Sequence, residues 1–181
     1  MTQAERRLFL IQALKDEQAE YRDLRVPRDA MGQRKLLRSL LNVRAPGAIG
    51  DDFLAVQDDY LQQALAEDGV TRAEDLSPVS GDLCLWQGDI TRLQCGAIVN
   101  AANSGLTGCY LPCHACIDNC IHTYAGIQLR QDCAALMAAQ GHAEPAGQAK
   151  ITRAYNLPCD YVLHTVGPIV EGPLTPEHER L

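Results

Sequence analysis

The strongest constraint on this chain lies between residues 97 and 122. An apolar run, Ala97-Ile98-Val99, leads into Asn100-Ala101-Ala102-Asn103 and a glycine-bearing loop. Cys109, Cys113, His114, Cys116 and Cys120 follow, the last of them interleaved with Asp118 and Asn119, which open a helical pattern. A strand that empties into polar and soft side chains just ahead of a helix N-terminus implies an α/β layer. Ligand loops in such a layer sit at strand ends.

The soft residues admit several readings. Cys109, His114 and Cys116 are spaced C-x4-H-x-C, close enough within a loop to converge on one ion, and thiolate with imidazole suits zinc. Three protein ligands leave a fourth position for water or substrate; Cys113 as a fourth ligand would instead close a structural site. Cys113 adjoins His114, and neighbours in an extended loop tend to point apart. A redox pair, Cys113-x-x-Cys116, is a third reading. Buried, unliganded thiols are a fourth, and that one fits Cys84, Cys95, Cys133 and Cys159.

The eight cysteines would form a disulfide framework only in a secreted protein. The first residues carry mixed charge, and Lys15, Asp16 and Glu17 interrupt the apolar pattern before a secretory core forms. No apolar run approaches the roughly 18 residues of a membrane span. The expectation is a soluble, cytoplasmic protein with reduced thiols and no membrane partner. A net charge of −7 argues against a nucleic-acid surface, which needs a basic patch. One anionic small molecule remains compatible, held by N–H groups at a helix N-terminus.

Before the site, residues 3–22, 29–43 and 51–67 read as helices, with stripes such as Leu36, Leu37, Leu40 and Leu41. Composition changes near Ser77-Pro78, so residues 1–77 are expected to form a helical extension and 78–181 the α/β unit. Strands are expected at 83–86, 97–100, 148–152 and 161–166. One helix is expected over 118–140, with Ile121, Tyr124, Ala125, Leu129, Cys133, Leu136 and Met137 inward and Gly141 closing it. Residues 167–173 read as a loop, and 175–181 as the opening of a helix that does not continue.

Asn100 and Asn103 sit where amides orient sugar hydroxyls, though asparagines also form turns. Asp118-Asn119 fit an N-cap. The same geometry lets the N–H groups of Ile117, Asp118 and Asn119 face a pyrophosphate.

Gly88-Asp89-Ile90, Asn100-Ala-Ala-Asn103-Ser and Ile117-Asp118-x-x-Ile121-His122-x-x-Ala125-Gly126, in this order, resemble the ADP-ribose-binding macrodomain. The Cys109, His114 and Cys116 insert resembles its zinc-containing branch, found beside sirtuins and carrying a helical N-terminal extension. The resemblance implies a mixed sheet flanked by helices and a Zn2+ cofactor on Cys109, His114 and Cys116. It implies adenine contacts at Asp89 and Ile90, a phosphate and distal-ribose wall at Cys116, Ile117, Asp118 and Asn119, and Asn103 facing that ribose. Asn103 and Asp118 would be the catalytic pair, with Asp118 either orienting the reacting centre or acting as a base through one water. The implied activity is removal of mono-ADP-ribose from acidic side chains of a modified protein, with a sirtuin-type ADP-ribosyltransferase as a further partner. An ADP-ribose reader without hydrolysis, and a zinc-stabilised interaction module, are the alternatives. Cys116 stands where many zinc-free relatives have glycine. The family's second glycine-rich phosphate loop is expected beyond Leu181, so the chain is expected to be truncated.

Overall fold

The computed structural model describes residues 1–180. Thr2 and Glu5 form a reciprocal capping box that starts α1 (Gln3–Glu17). Its apolar face runs out at Leu14, and Gln18 turns extended. The expected continuation to residue 22 is instead a single 3-10 turn, Ala19–Tyr21, that returns the Tyr21 ring to the bundle. Asp29 caps α2 (Ala30–Val43) by accepting from the Gly32 N–H, and α3 (Asp51–Asp68) stops at Gly69. The three helices close over Leu10, Ile11, Leu14, Leu37, Leu40, Leu41 and Phe53. Burying each of these side chains contributes about 1.5–3 kcal/mol. Ile127, from far along the chain, completes this core.

Two short pairings follow. Strand β1 (Thr71–Arg72) lies parallel to β4 (Leu93–Gln94), and β2 (Pro78–Ser80) pairs antiparallel with β3 (Leu83–Cys84). The strand expected over 83–86 is therefore half as long, and it lies on the surface with Leu83 70% and Leu85 84% exposed. Its apolar letters have no layer to pack against.

The main sheet comprises β5 (Ala97–Ala101), β6 (Ala149–Arg153) and β7 (Tyr161–Thr165) in the order β5-β7-β6. β5 runs parallel to β7, and β6 antiparallel to it, giving a mixed sheet. Helices α4 (Ile117–Ala125) and α5 (Ile127–Gln140) follow β5 in the chain, and a core of Ile98, Ile121, Ala125, Leu129, Cys133 and Val162 joins them to the sheet. Val99, Ile151 and Tyr161, at alternate positions, are exposed. No helix among the described residues is long and apolar enough to cross a membrane.

The single helix expected over 118–140 is broken at Gly126, where φ is +98°. The apolar period continues through the break, which is why periodicity alone does not reveal it. The kink leaves Tyr124 and Leu136 partly in solvent rather than inward. Both orphaned helix ends are met from outside: Gln57 Oε1 of α3 accepts from the Ile127 N–H (3.0 Å), and Asn156 Nδ2 donates to Ala125 O (2.9 Å). In return, Arg130 of α5 donates to Leu41 O, Asn42 O and Arg44 O at the end of α2 (3.2, 2.8 and 2.6 Å).

Gly126→Ala meets a disfavoured φ, and its Cβ would fall 2.6 Å from Gln57 Nε2 and 2.7 Å from Gln128 Oε1. We expect a loss of about 2 kcal/mol or more in urea unfolding. Gly141→Ala, at a positive φ but facing open space, should cost less. Equal midpoints for the two variants would refute this account of the break.

Candidate active site

Cys109, His114 and Cys116 come together: one ligand atom from each lies within 4.8 Å of the other two, with Cys109 Sγ 3.6 Å from His114 Nδ1. Cys116 is the N-cap of α4, its Sγ accepting from the Asn119 N–H at 3.4 Å. Burial raises the Cys116 thiol above its ordinary pKa, and the neighbouring Cys109 adds to this. A thiol placed so keeps its proton unless a cation compensates, and two sulfurs with one imidazole are a donor set that zinc fits. Cys113 lies outside the cluster. At φ +54° it turns its Sγ to Ser39 Oγ (3.2 Å) and Lys35 O (3.4 Å) on α2.

Beside this cluster, Asp118 on α4 is buried and accepts from Asn100 Nδ2 (2.8 Å) and Asn103 Nδ2 (3.3 Å), with His122 Nε2 at 3.6 Å. Burial raises its pKa; the Asn100 hydrogen bond, the Arg130 charge and the Asn103 hydrogen bond oppose that rise. Asn103 is both a turn former and a tie. Its Oδ1 accepts from the Gly105 N–H (2.9 Å), and its Nδ2 donates to Gly108 O (3.1 Å) as well as to Asp118. The loop it organises is tight. Leu106 is wholly buried at φ +55°, and Gly108, at φ +84°, lies so close to the His122 ring that a Cβ would come within 2.8 Å of it.

Asn100 is buried and points inward, not toward a ligand. Its Nδ2 donates to both Asp118 Oδ1 and His164 Nδ1 (3.1 Å), which places the His164 proton on Nε2, donating to Thr152 Oγ1 (2.9 Å). His122, Cys133 and His164 also lie close together, all buried. Sequence reasoning missed His164; its signal was an inward position on an alternating strand.

Asn119 departs from its expected place. It is wholly buried, its N–H is taken by Cys116, and its Nδ2 donates to Cys109 O (3.2 Å) and Leu111 O (3.0 Å), so it shapes the loop rather than lining a cleft. Ile117 packs partly on the sheet core. Asp89 is exposed and caps the 3-10 turn Ile90–Arg92 through Thr91 N–H (2.9 Å) and Thr91 Oγ1 (2.7 Å), while Ile90 packs on the core. Asp89, Asp68 and Tyr124 line a cavity of about 50 Å³ near the last turn of α4. The ligand cluster sits at the other end, roughly 13 Å away along a nine-residue helix. A larger cleft of about 440 Å³, lined by Arg34, Arg38, Tyr60, Cys113 and Tyr124, runs between α2, α3 and α4.

A mixed sheet, a strand ending in paired asparagines and a helix opening on Asp118 define the fold and site of a macrodomain. The Macro domain family model matches residues 99–181. The chain is 59% identical over 179 residues to a protein-ADP-ribose hydrolase of Treponema medium, covering 97% of this chain and 69% of that protein. It is 48% identical over 161 residues to one of Staphylococcus aureus (strain MRSA252), covering 88% of this chain and 60% of that one. Among solved structures, the Trypanosoma brucei macrodomain in complex with ADP is similar, with a TM-score of 0.50 and 29% identity over 76% of this chain and 62% of that chain. The chain belongs to the macro domain protein-ADP-ribose hydrolase family.

The buried histidines generate a pH prediction. Burial holds His122 down to about 3, helped by the Arg130 and His164 charges, and His164 down to about 4. Both lie below the unfolded value of about 6.5, so the unfolded chain binds more protons in that window and stability falls as pH drops from about 6.5 toward 4. Asp118, raised, has the opposite sign, but one carboxyl opposes two imidazoles. Thermal melts in chelator should show Tm falling over this range, with a shallower slope in His164→Gln; a flat native profile would contradict it.

Proposed function

We propose that the protein is a zinc-dependent hydrolase that removes mono-ADP-ribose from acidic side chains of a modified protein, within the zinc-containing, sirtuin-linked class of macrodomains. The observation that carries this reading is the convergence of Cys109, His114 and Cys116 at the N-terminus of α4, beside the Asn103–Asp118 pair. The Treponema medium relative is a protein-ADP-ribose hydrolase, which supports the reaction. The eight free cysteines fit a reducing cytoplasmic setting.

In this reading Asp89 and Ile90 meet the adenine, and Cys116, Ile117 and Asp118 form the phosphate and ribose wall through backbone at the helix N-terminus, where the macrodipole favours anions. Asn119 contributes by holding the loop. Asn103 faces the distal ribose, and Asp118 works through it: a buried carboxylate accepting the Asn103 amide fixes which way that amide points. When bound, zinc supplies Lewis acidity and positive charge beside the bond to be cut. Water is consumed, and ADP-ribose and a free carboxylate are released. The enzyme that installs the mark, a sirtuin-type transferase, is the proposed functional partner.

A second reading, an ADP-ribose reader without hydrolysis, draws on one observation: the Asp118 side chain is 7% exposed and fully engaged, leaving it poorly placed as a base.

Metal analysis of protein purified without chelator should find about one zinc per chain. Release of ADP-ribose from an aspartyl-ADP-ribosylated protein should be lost with chelator and return with zinc. Binding without release would favour the reader, and no zinc would remove the central claim. Asn103→Ala should lower turnover by about 10–100-fold, more than Cys113→Ser does; the reverse order would make Cys113 a ligand.

A further inference from the structure

We propose that helix α2 belongs to the site, and that Arg38 and Asn42 are positioning residues that hold the ligand loop in its metal-binding shape. This rests on the zinc reading. The loop has little structure of its own: among the described residues, one backbone–backbone hydrogen bond, from the His114 N–H to Leu111 O, lies within 109–116. Its shape is imposed by side chains.

Arg38 Nη2 donates to His114 O and to Asn119 Oδ1, both at 2.8 Å. The second bond sets the Asn119 amide so that its Nδ2 faces Cys109 O and Leu111 O. One guanidinium thus reaches the carbonyl of one ligand directly and that of another through Asn119. Asn42 Oδ1 accepts from the Cys113 N–H at 2.9 Å, fixing the left-handed residue that precedes His114. Its Nδ2 donates to Thr123 Oγ1 (2.8 Å), which donates in turn to Asn119 O (2.7 Å). Asn42 and Asn119 are both buried, so neither finds water as a substitute partner.

Residues 35, 38, 39 and 42 lie on one face of α2, the i, i+3, i+4, i+7 spacing of a helix face. Arg130 anchors the far end of that helix and lies 4.4 Å over the Tyr110 ring, next to Cys109. The ligand loop is therefore clamped between α2 and α4. A loop ordered in advance loses less freedom when it binds. Groups that orient ligands from behind typically govern metal affinity by about 10–100-fold.

Zinc affinity, read by competition with a chromophoric chelator, should fall by about 10–100-fold in Arg38→Met and in Asn42→Ala. Arg34→Ala, on the same helix, should retain native affinity. In metal-free protein, hydrogen exchange at the Cys113 amide should speed up in Asn42→Ala and return toward the native rate in Asn42→Asp, which keeps the acceptor. If the alanine variant unfolds, the zinc affinity of Arg38→Met judges the proposal by itself, a native value overturning it. Native zinc affinity in both Arg38→Met and Asn42→Ala overturns the proposal, as does a Cys113 amide that exchanges equally fast in the native protein and Asn42→Asp variant as in Asn42→Ala. A native protein that takes up no zinc removes the zinc reading instead, while the exchange measurement still judges the clamp.

Discussion

The structure depends on helix ends that satisfy one another across its two halves. Arg130 brings a buried guanidinium to the last carbonyls of α2, and Gln57 supplies an acceptor to the first N–H of α5. Each replaces a water that a buried helix terminus cannot reach. Removing either partner would strand polar groups in the interior, which costs about 1–3 kcal/mol per group. Ile127 adds an apolar link by completing the core of the N-terminal bundle. The helices ahead of the sheet are therefore joined to α5, directly behind the site helix, by directional contacts and not by apolar surface alone.

Much of this was legible in the residues. Caps and stops placed α2 and α3 to within a residue or so, and the apolar run at Ala97 marked β5. The close spacing of Cys109, His114 and Cys116 anticipated that the three side chains converge. What escaped depends on tertiary context. The Gly126 break is invisible because Ile121, Ala125, Leu129 and Cys133 keep helical spacing on both sides of it. Leu83 and Leu85 look like a core strand but have no layer above them. Arg38 and Asn42 read as the polar side of an amphipathic helix, and nothing local reveals that a loop more than seventy positions away accepts their hydrogen bonds. Asn119 was expected among the ligand contacts for its N–H at the helix N-terminus and from the family resemblance; its burial, with that N–H bonded to Cys116 Sγ, shows only in the fold.

The interior of the site is polar where most cores are apolar. Asn100, Asp118, His122 and His164 lie under the loop, and Thr152 closes the row from β6. Such a network is costly unless its members find partners, and here Asn100 Oδ1 and both His122 ring nitrogens are buried without a hydrogen bond. Asp118 gains two amide donors, and His164 is held in one tautomer. The strained backbone at Leu106 and the close approach of Gly108 to His122 follow from this crowding. Loop and helix are fitted to each other rather than merely adjacent.

Helix α4 is only nine residues long, because Gly126 ends it. Helices shorter than about 12–15 residues are marginal in water, since nucleation is costly and few bonds follow it. Its persistence comes from neighbours on every side: Asn156 at its end, Thr123 against Asn42, and the sheet beneath Ile121. The isolated segment is too short to hold a helix, so α4 depends on docking against α2 and on the sheet beneath Ile121. The site is therefore a product of both halves of the chain and belongs to neither alone.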